Sequence, residues 1–160
     1  MSQKIFNIDT LKAKVTVDKN NHKKIVFTNG CFDIVHAGHI RYLYEAKSYG
    51  DRLVVGVNSD QSVSRIKPGR PIIPQEQRME VLAALEMVDY VILFEEHTPL
   101  VLIKAIKPDV LVKGADWALE NIVGREIAKE VCRIHYVEGI STTQIIQKIL
   151  SCKFSRDKPE

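Results

Sequence analysis

From residue 25 onward the chain alternates short, unbroken runs of Val, Ile, Leu and Phe with stretches whose apolar residues recur at threes and fours. The runs fall at 25–27, 53–57, 90–94, 110–112 and 133–137. Helical spacing occupies 40–47, 74–87, the stretch opened by Thr98-Pro99, 122–131 and 141–150. Repeated strand–helix alternation demands parallel strands, because a long crossover is needed to bring the chain back to the same end of a sheet. Runs without polar alternation indicate strands covered on both faces. The pattern predicts a doubly wound, Rossmann-like α/β fold with a parallel five-stranded sheet in a single domain over 24–150. An N-terminal extension at 1–23 (a short helix near 7–13, then a loop over 18–24) and a polar tail at 151–160 flank it. Thr98 as a hydroxyl cap with Pro99 in the first helical position, and Ser141 ahead of the last helix, mark helix starts.

Composition enters as a filter. Twenty-three basic against 20 acidic residues leave a net charge of +3, with the basic residues scattered. Neither nucleic acid nor a membrane surface is an expected partner of such a distribution. No apolar run approaches the ~18 residues of a membrane span, and the polar N-terminus does not read as a signal peptide. Three cysteines, Cys31, Cys132 and Cys152, show no CxxC spacing. That argues against a disulfide framework or a zinc ribbon and for a reducing cytoplasm.

In doubly wound sheets ligands settle at the carboxyl ends of the strands, where strand order reverses. The first run ends in Thr28-Asn29-Gly30-Cys31-Phe32-Asp33, followed by His36-Ala37-Gly38-His39 at a helix start. The second ends in Asn58-Ser59-Asp60 and the fourth in Lys113-Gly114-Ala115-Asp116-Trp117. The fifth ends in Glu138-Gly139-Ile140, ahead of Ser141-Thr142-Thr143. Small, hydroxylated and basic residues in these places suit a polyanion, and two of the segments open helices whose free N–H groups favour phosphate. The glycine-rich dinucleotide fingerprint and the P-loop pattern are both absent from the chain, so phosphate must be held another way.

His36 and His39 are three residues apart, about 60° around a helix, so both rings can face one ligand. Gly38 between them leaves room for a bulky group. Imidazole N–H donors can follow phosphate oxygens as charge moves toward a leaving pyrophosphate. Spacing alone leaves a purely structural pair open, whereas a zinc site lacks the HExxH pattern. Cys31 reads as a small residue beside the loop, because no partner base accompanies it. Asp33 either caps the helix that follows or faces the ligand, and Trp117 either stacks on a base or covers a core edge.

The segment from Thr28 to His39 resembles the HxGH signature of the nucleotidyltransferase superfamily, and Glu138-Gly139-Ile140-Ser141-Thr142-Thr143 resembles its second phosphate-binding motif. The likeness covers about 24–150, including Val57-Asn58-Ser59-Asp60, Arg70-Pro71-Ile72, Thr98-Pro99 and 108–114, and points to the heptose 1-phosphate adenylyltransferases of that superfamily. The resemblance implies transfer of AMP from ATP, accompanied by Mg²⁺, to a sugar 1-phosphate. The acceptor it implies is D-glycero-β-D-manno-heptose 1-phosphate, and the products are ADP-heptose and pyrophosphate. It further implies catalytic roles for His36, His39 and Lys113. ATP contacts would come from Thr28, Asn29, Gly30, Cys31, Phe32, His36, His39, Gly114, Ser141, Thr142 and Thr143. Sugar-phosphate contacts would come from Asp33, Asn58, Arg70, Lys113 and Asp116, with no protein-held metal. A homodimer, a cytoplasmic location, a separate heptose-phosphate kinase and a part in lipopolysaccharide assembly belong to the same expectation.

Two positions depart from the family pattern. Arg133-Ile134-His135-Tyr136 replaces a longer glycine-containing turn, and Lys148 stands where an arginine nearer the hydroxyl cluster is usual. Two other readings stay open. One is a cytidylyltransferase acting on glycerol 3-phosphate or another phospho-alcohol, which Gly114-Ala115-Asp116-Trp117 resembles although Tyr136-Val137 replaces its Arg-Thr. The other is a non-catalytic nucleotide-binding protein. A dehydrogenase would need the missing glycine fingerprint.

Overall fold

A computed structural model describes residues 3–135 and 139–152. Its strands are β1 (Ile5–Phe6), β2 (Ile25–Gly30), β3 (Arg52–Asn58), β4 (Tyr90–Phe94), β5 (Val110–Gly114) and β6 (Glu130–Ile134). All pair in parallel, in the order β1-β4-β3-β2-β5-β6. The helices are α1 (Ile8–Asn20), α2 (Ala37–Ser48), α3 (Asp60–Ile66), α4 (Gln75–Ala84), α5 (Leu100–Ile106) and α6 (Thr142–Ser151). None of these is long and apolar enough to cross a membrane.

The period of two along a strand sends neighbours to opposite faces, and both faces are apolar here. Val26, Leu53, Val55, Val57, Val110 and Val112 pack with Leu43 and Ala46 of α2 and with Leu82 and Ala83 of α4. Ile25, Phe27, Val54, Ile92 and Leu111 pack with Leu11 and Val15 of α1 and with Leu102, Ile103 and Ile106 of α5. The result is a three-layer α/β/α sandwich, as the unbroken runs predict. From β2 the chain moves outward to β3 and β4, then crosses back to β5 and β6 on the other side of β2. Strand order therefore reverses beside β2, and a crevice opens above its carboxyl end.

The sheet has six strands rather than five. Ile5 and Phe6 pair with Val91 and Ile92, a two-residue strand too short to leave a periodic signal. Helix α1 starts one residue later than expected, with Asn7 Oδ1 accepting the Thr10 N–H, and runs on to Asn20. The extra turns carry Val15 into the core and Asp18 onto Arg52 Nε (3.2 Å) and Tyr90 Oη (2.5 Å). Residues 3–23 thus contribute a strand and a core-facing helix to the same sheet.

The helix expected over 122–131 does not form. Leu119–Asn121 makes a single 3₁₀ turn, and Ile122 turns into the core. Gly124 takes a left-handed φ of +84°, with Ile103 so close that a Cβ would meet its side chain at 2.8 Å. The chain then enters β6 at Glu130, three residues before the expected strand, which ends at Ile134. Thr98 caps nothing: α5 begins at Leu100, behind Pro99, without a side-chain cap. Helix α3, which sequence periodicity did not indicate, is capped by Ser59 Oγ accepting the Ser62 N–H at 3.1 Å.

Candidate active site

A cavity of about 690 Å³ runs across the carboxyl ends of four strands. Its walls come from His97, Thr98 and Pro99 after β4, Asn58 at the end of β3 with Val63 of α3, and residues 29–33 with His36, Gly38 and His39 at and after the end of β2. On the other side stand Lys113, Gly114, Asp116 and Trp117 after β5, together with residues 140–143 leading into α6. Every site residue read from the sequence lines this cavity except Thr28. Thr28 is fully buried beneath it, where its hydroxyl shares a 2.7 Å hydrogen bond with Tyr42 Oη, so the phosphate contact expected of Thr28 is not supported.

The histidines do not share a helix face as their spacing suggested. His36 is the N-cap of α2, with extended backbone (φ −140°, ψ 173°), and only His39 is helical. His36 Nδ1 accepts the Gly38 N–H at 3.1 Å, and His39 Nδ1 accepts the His36 N–H at 3.4 Å. This reciprocal cap occupies both Nδ1 atoms as acceptors, so in each neutral ring the hydrogen sits on Nε2. The ring centroids are 4.0 Å apart, tilted by 33°. Gly38 makes room for the His36 ring rather than for a ligand: a Cβ there would meet His36 Cε1 at 2.9 Å. Burial lowers the pKa of His36. Burial, with His36 and Lys67 nearby, brings that of His39 down to about 4. At neutral pH the pair is uncharged and offers two Nε2–H donors.

Lys113 Nζ donates to Asn29 Oδ1 and lies 5.9 Å from the Trp117 ring centre. Burial lowers its pKa to about 8, with Asp116 pulling the other way, so a partly desolvated ammonium faces the cavity at neutral pH. Across the crevice Ser141 caps α6, its Oγ accepting the Gln144 N–H at 3.2 Å. Thr142 Oγ1 donates to Ile34 O at 3.5 Å, and Arg70 Nη2 lies 3.5 Å from Thr143 Oγ1. The imidazole pair and the hydroxyl cluster therefore belong to one site. Glu138 of the second motif, like Tyr136, Val137 and the tail from 153, lies outside the described residues.

Asp33 neither caps a helix nor is free for a sugar hydroxyl. Its Oδ1 accepts the N–H groups of Ile72 (2.8 Å) and Ile73 (2.9 Å), and its Oδ2 takes Arg70 Nη1 at 2.6 Å. Burial pushes its pKa up, but these three donors outweigh that and hold it below the usual carboxylate value. Asn58 is buried at the cavity floor, with Nδ2 donating to Ser62 Oγ at 3.0 Å. Burial raises the Cys31 thiol pKa, which removes it further from a nucleophile's role. Among the described residues no group of three or more His, Cys, Asp or Glu is placed to hold a metal ion.

Lys67 and His97 line the cavity as well, and Arg78 lies beneath it, although motif reading passed them over; Thr98, read as a helix cap, lines it too. Lys67 sits in Lys67-Pro68-Gly69-Arg70, a cationic turn that could have been flagged by charge and turn chemistry. Arg78, inside an ordinary polar helix pattern, carried no signal.

The profile of the cytidylyltransferase-like family matches residues 27–148. The bifunctional protein HldE of Geobacter sulfurreducens is 49% identical over 152 residues, 92% of this chain and 31% of that protein. Its namesake from Nitratiruptor sp. is 57% identical over 140 residues, 85% of this chain and 30% of that protein. The chain thus spans less than a third of these relatives' length. Among solved structures, the lipopolysaccharide core biosynthesis protein from Thermoplasma volcanium superposes with a TM-score of 0.62 at 32% identity, covering 72% of this chain and 99% of that one. Pantoate-β-alanine ligase from Francisella tularensis shares the fold, with a TM-score of 0.54 at 17% identity over 91% of this chain and 77% of that one.

Proposed function

The chain belongs to the cytidylyltransferase-like family, and from that premise we propose that it transfers AMP from ATP to a sugar 1-phosphate, D-glycero-β-D-manno-heptose 1-phosphate, releasing pyrophosphate. The observation that carries this reading is the pair of neutral imidazoles with free Nε2–H groups, set beside the hydroxyl-rich start of α6 in one cavity. Near 50% identity to proteins named HldE, and likeness to a lipopolysaccharide core biosynthesis protein, support the sugar side of the proposal.

In the proposed reaction the acceptor's phosphate oxygen is already anionic, so no general base is required. That oxygen attacks the α-phosphorus in line, the new P–O bond forms, and the bond to the bridging oxygen breaks with its electron pair leaving on pyrophosphate. His36 and His39 donate to the triphosphate oxygens as charge builds there, and Lys113 supplies a positive counter-charge. Lys113 and Arg70, with Asp116 and Asn58 at the walls, face the acceptor. Asn29, Gly30, Cys31, Phe32, Gly114, Ser141, Thr142 and Thr143 enclose the nucleotide. Mg²⁺ enters with ATP as part of the substrate. Among the described residues Asp33 and Asp116 are the carboxylates lining the cavity; Asp33 is consumed by its three donors, and Asp116 would hold the ion through water. The acceptor is supplied by a heptose-phosphate kinase reaction, and the working form is a cytoplasmic homodimer.

The test is pyrophosphate release across ATP and CTP, each with heptose 1-phosphate, other sugar 1-phosphates and glycerol 3-phosphate, with and without Mg²⁺. ATP with a sugar 1-phosphate and Mg²⁺ is the expected productive combination. Preference for CTP with glycerol 3-phosphate would transfer the protein to the cytidylyltransferase reading. ATP binding without turnover on any acceptor would make it a nucleotide-binding protein.

A further inference from the structure

Arg78 is the bulkiest of the fully buried side chains among the described residues, 1% exposed. A guanidinium taken out of water is costly unless its N–H groups find partners. Here Nη1 donates to Cys31 O (2.5 Å), Nη2 to Asn58 O (2.8 Å) and Asp60 Oδ1 (2.7 Å), and Nε to Ile73 O (3.0 Å). The three carbonyls belong to three separate stretches of chain: the loop after β2, the end of β3 and the turn before α4. An apolar residue of similar volume would serve the core as well, but would leave those carbonyls without this donor. Arg78 is not part of the cavity wall, so whatever it does for the site it does through other residues.

The residue it can act through is close by. Asp33 holds the Ile72 and Ile73 N–H groups while Arg78 holds the Ile73 carbonyl, so the 70–73 turn is gripped from both sides. Asp33 also fixes Arg70 Nη1 at 2.6 Å, leaving Nη2 directed to Thr143 Oγ1 at 3.5 Å. Arg70 thereby bridges the loop after β2 and the start of α6. We propose that Arg78 and Asp33 are positioning residues that act through Arg70, holding its guanidinium where the acceptor's phosphate meets it. The inference rests on the transferase reading and deepens it at the acceptor side of the same site.

A double-mutant cycle tests it: Arg70→Gln, Arg78→Lys and Asp33→Asn, singly and as the two doubles containing Arg70→Gln. With MgATP saturating, each single variant should raise the KM for the sugar 1-phosphate about tenfold or more, and each double should lie within about threefold of Arg70→Gln alone. The affinity for MgATP, read from the fluorescence of Trp117, the chain's single tryptophan, should move by less than about threefold in all of them. A merely structural weakening would move both constants. Losses that multiply in the doubles, or an equal loss of MgATP affinity, would overturn the proposal. Should Arg78→Lys fail to fold by circular dichroism, Asp33→Asn carries the cycle from the other side of the turn. Wild-type protein that releases no pyrophosphate sinks the transferase reading alone. The cycle then moves to inorganic phosphate binding by calorimetry, where coupled losses support the positioning role and multiplying losses reject it.

Discussion

The two edges of the sheet spend their charged residues in opposite ways. At the amino edge Asp89 accepts the Leu53 N–H (2.8 Å), Lys47 (2.5 Å) and Arg52 (3.1 Å). Asp18 takes Arg52 and Tyr90, while Asp109 takes the Ile25 N–H (2.9 Å) and Lys129 (2.8 Å). Each carboxylate there completes strand-end donors and a nearby cation. At the carboxyl edge His36 and His39 accept backbone N–H groups through Nδ1, from Gly38 and His36 respectively, and Lys113 rests on an uncharged amide and an indole ring. Asp33 and Asp60 are engaged by Arg70 and Arg78. In a parallel sheet the amino ends present N–H groups, which the carboxylates cover, and the carboxyl ends present carbonyls; one edge is finished by its own side chains and the other keeps donors for a ligand. Satisfied charge marks architecture here, and withheld partners mark the site.

The comparison breaks most easily at the imidazoles. His36→Ala and His39→Ala should each lower kcat by about 10²–10³, because donors aimed at developing charge are lost, while the lost cap bond lowers stability by only about 1 kcal/mol. Normal turnover in both variants would end the assignment. Lys113→Met should cost about tenfold to a hundredfold in kcat/KM, measured by pyrophosphate release, with little change in stability. The opposite edge should answer in the opposite currency. Asp89→Ala should destabilise the fold by about 2–3 kcal/mol in urea titrations, since it strands partly buried Lys47 and Arg52, with turnover per folded molecule unchanged.

The smallest effect separates the edges by pH. His39 stays neutral in the fold to about pH 4, against an ordinary value of 6.5. Between those values the unfolded chain binds a proton that the folded chain refuses, so stability is complete above 6.5 and declines as pH falls toward 4. Asp109 runs the other way in charge. Burial raises its pKa, but the Ile25 N–H and Lys129 outweigh that and leave it below 3.8, so its contribution is lost only in more acid solution. Thermal midpoints across pH should therefore fall in two stages, and His39→Asn should flatten the upper one alone. At the alkaline end kcat/KM should decline as Lys113 deprotonates near pH 8, and Lys113→Arg should remove that limb.

Much of this was legible before any coordinates. Five apolar runs located strands β2 to β6, the last displaced by three residues, and the strand-end rule together with the family resemblance yielded the site residues, of which only Thr28 falls away from the cavity. The misses share a cause. β1 is two residues long, α1 owes its later turns to Asp18 meeting Arg52 and Tyr90, and the missing helix near 122 yields to Gly124 pressed against Ile103. Each depends on a contact between residues far apart in the chain.

Local chemistry is written locally: periodicity, caps, the HxGH and Ser-Thr-Thr segments and their places at strand ends all follow from neighbouring residues, and the sequence alone determined them. Which donors remain available is a different kind of fact. Asp33 is spent on Arg70 and the 72–73 amides, Thr28 on Tyr42, and Arg78 on three carbonyls, while the histidines keep Nε2 free. Only the tertiary structure decided that, because a polar group's availability depends on whether the fold brings it a partner from elsewhere in the chain.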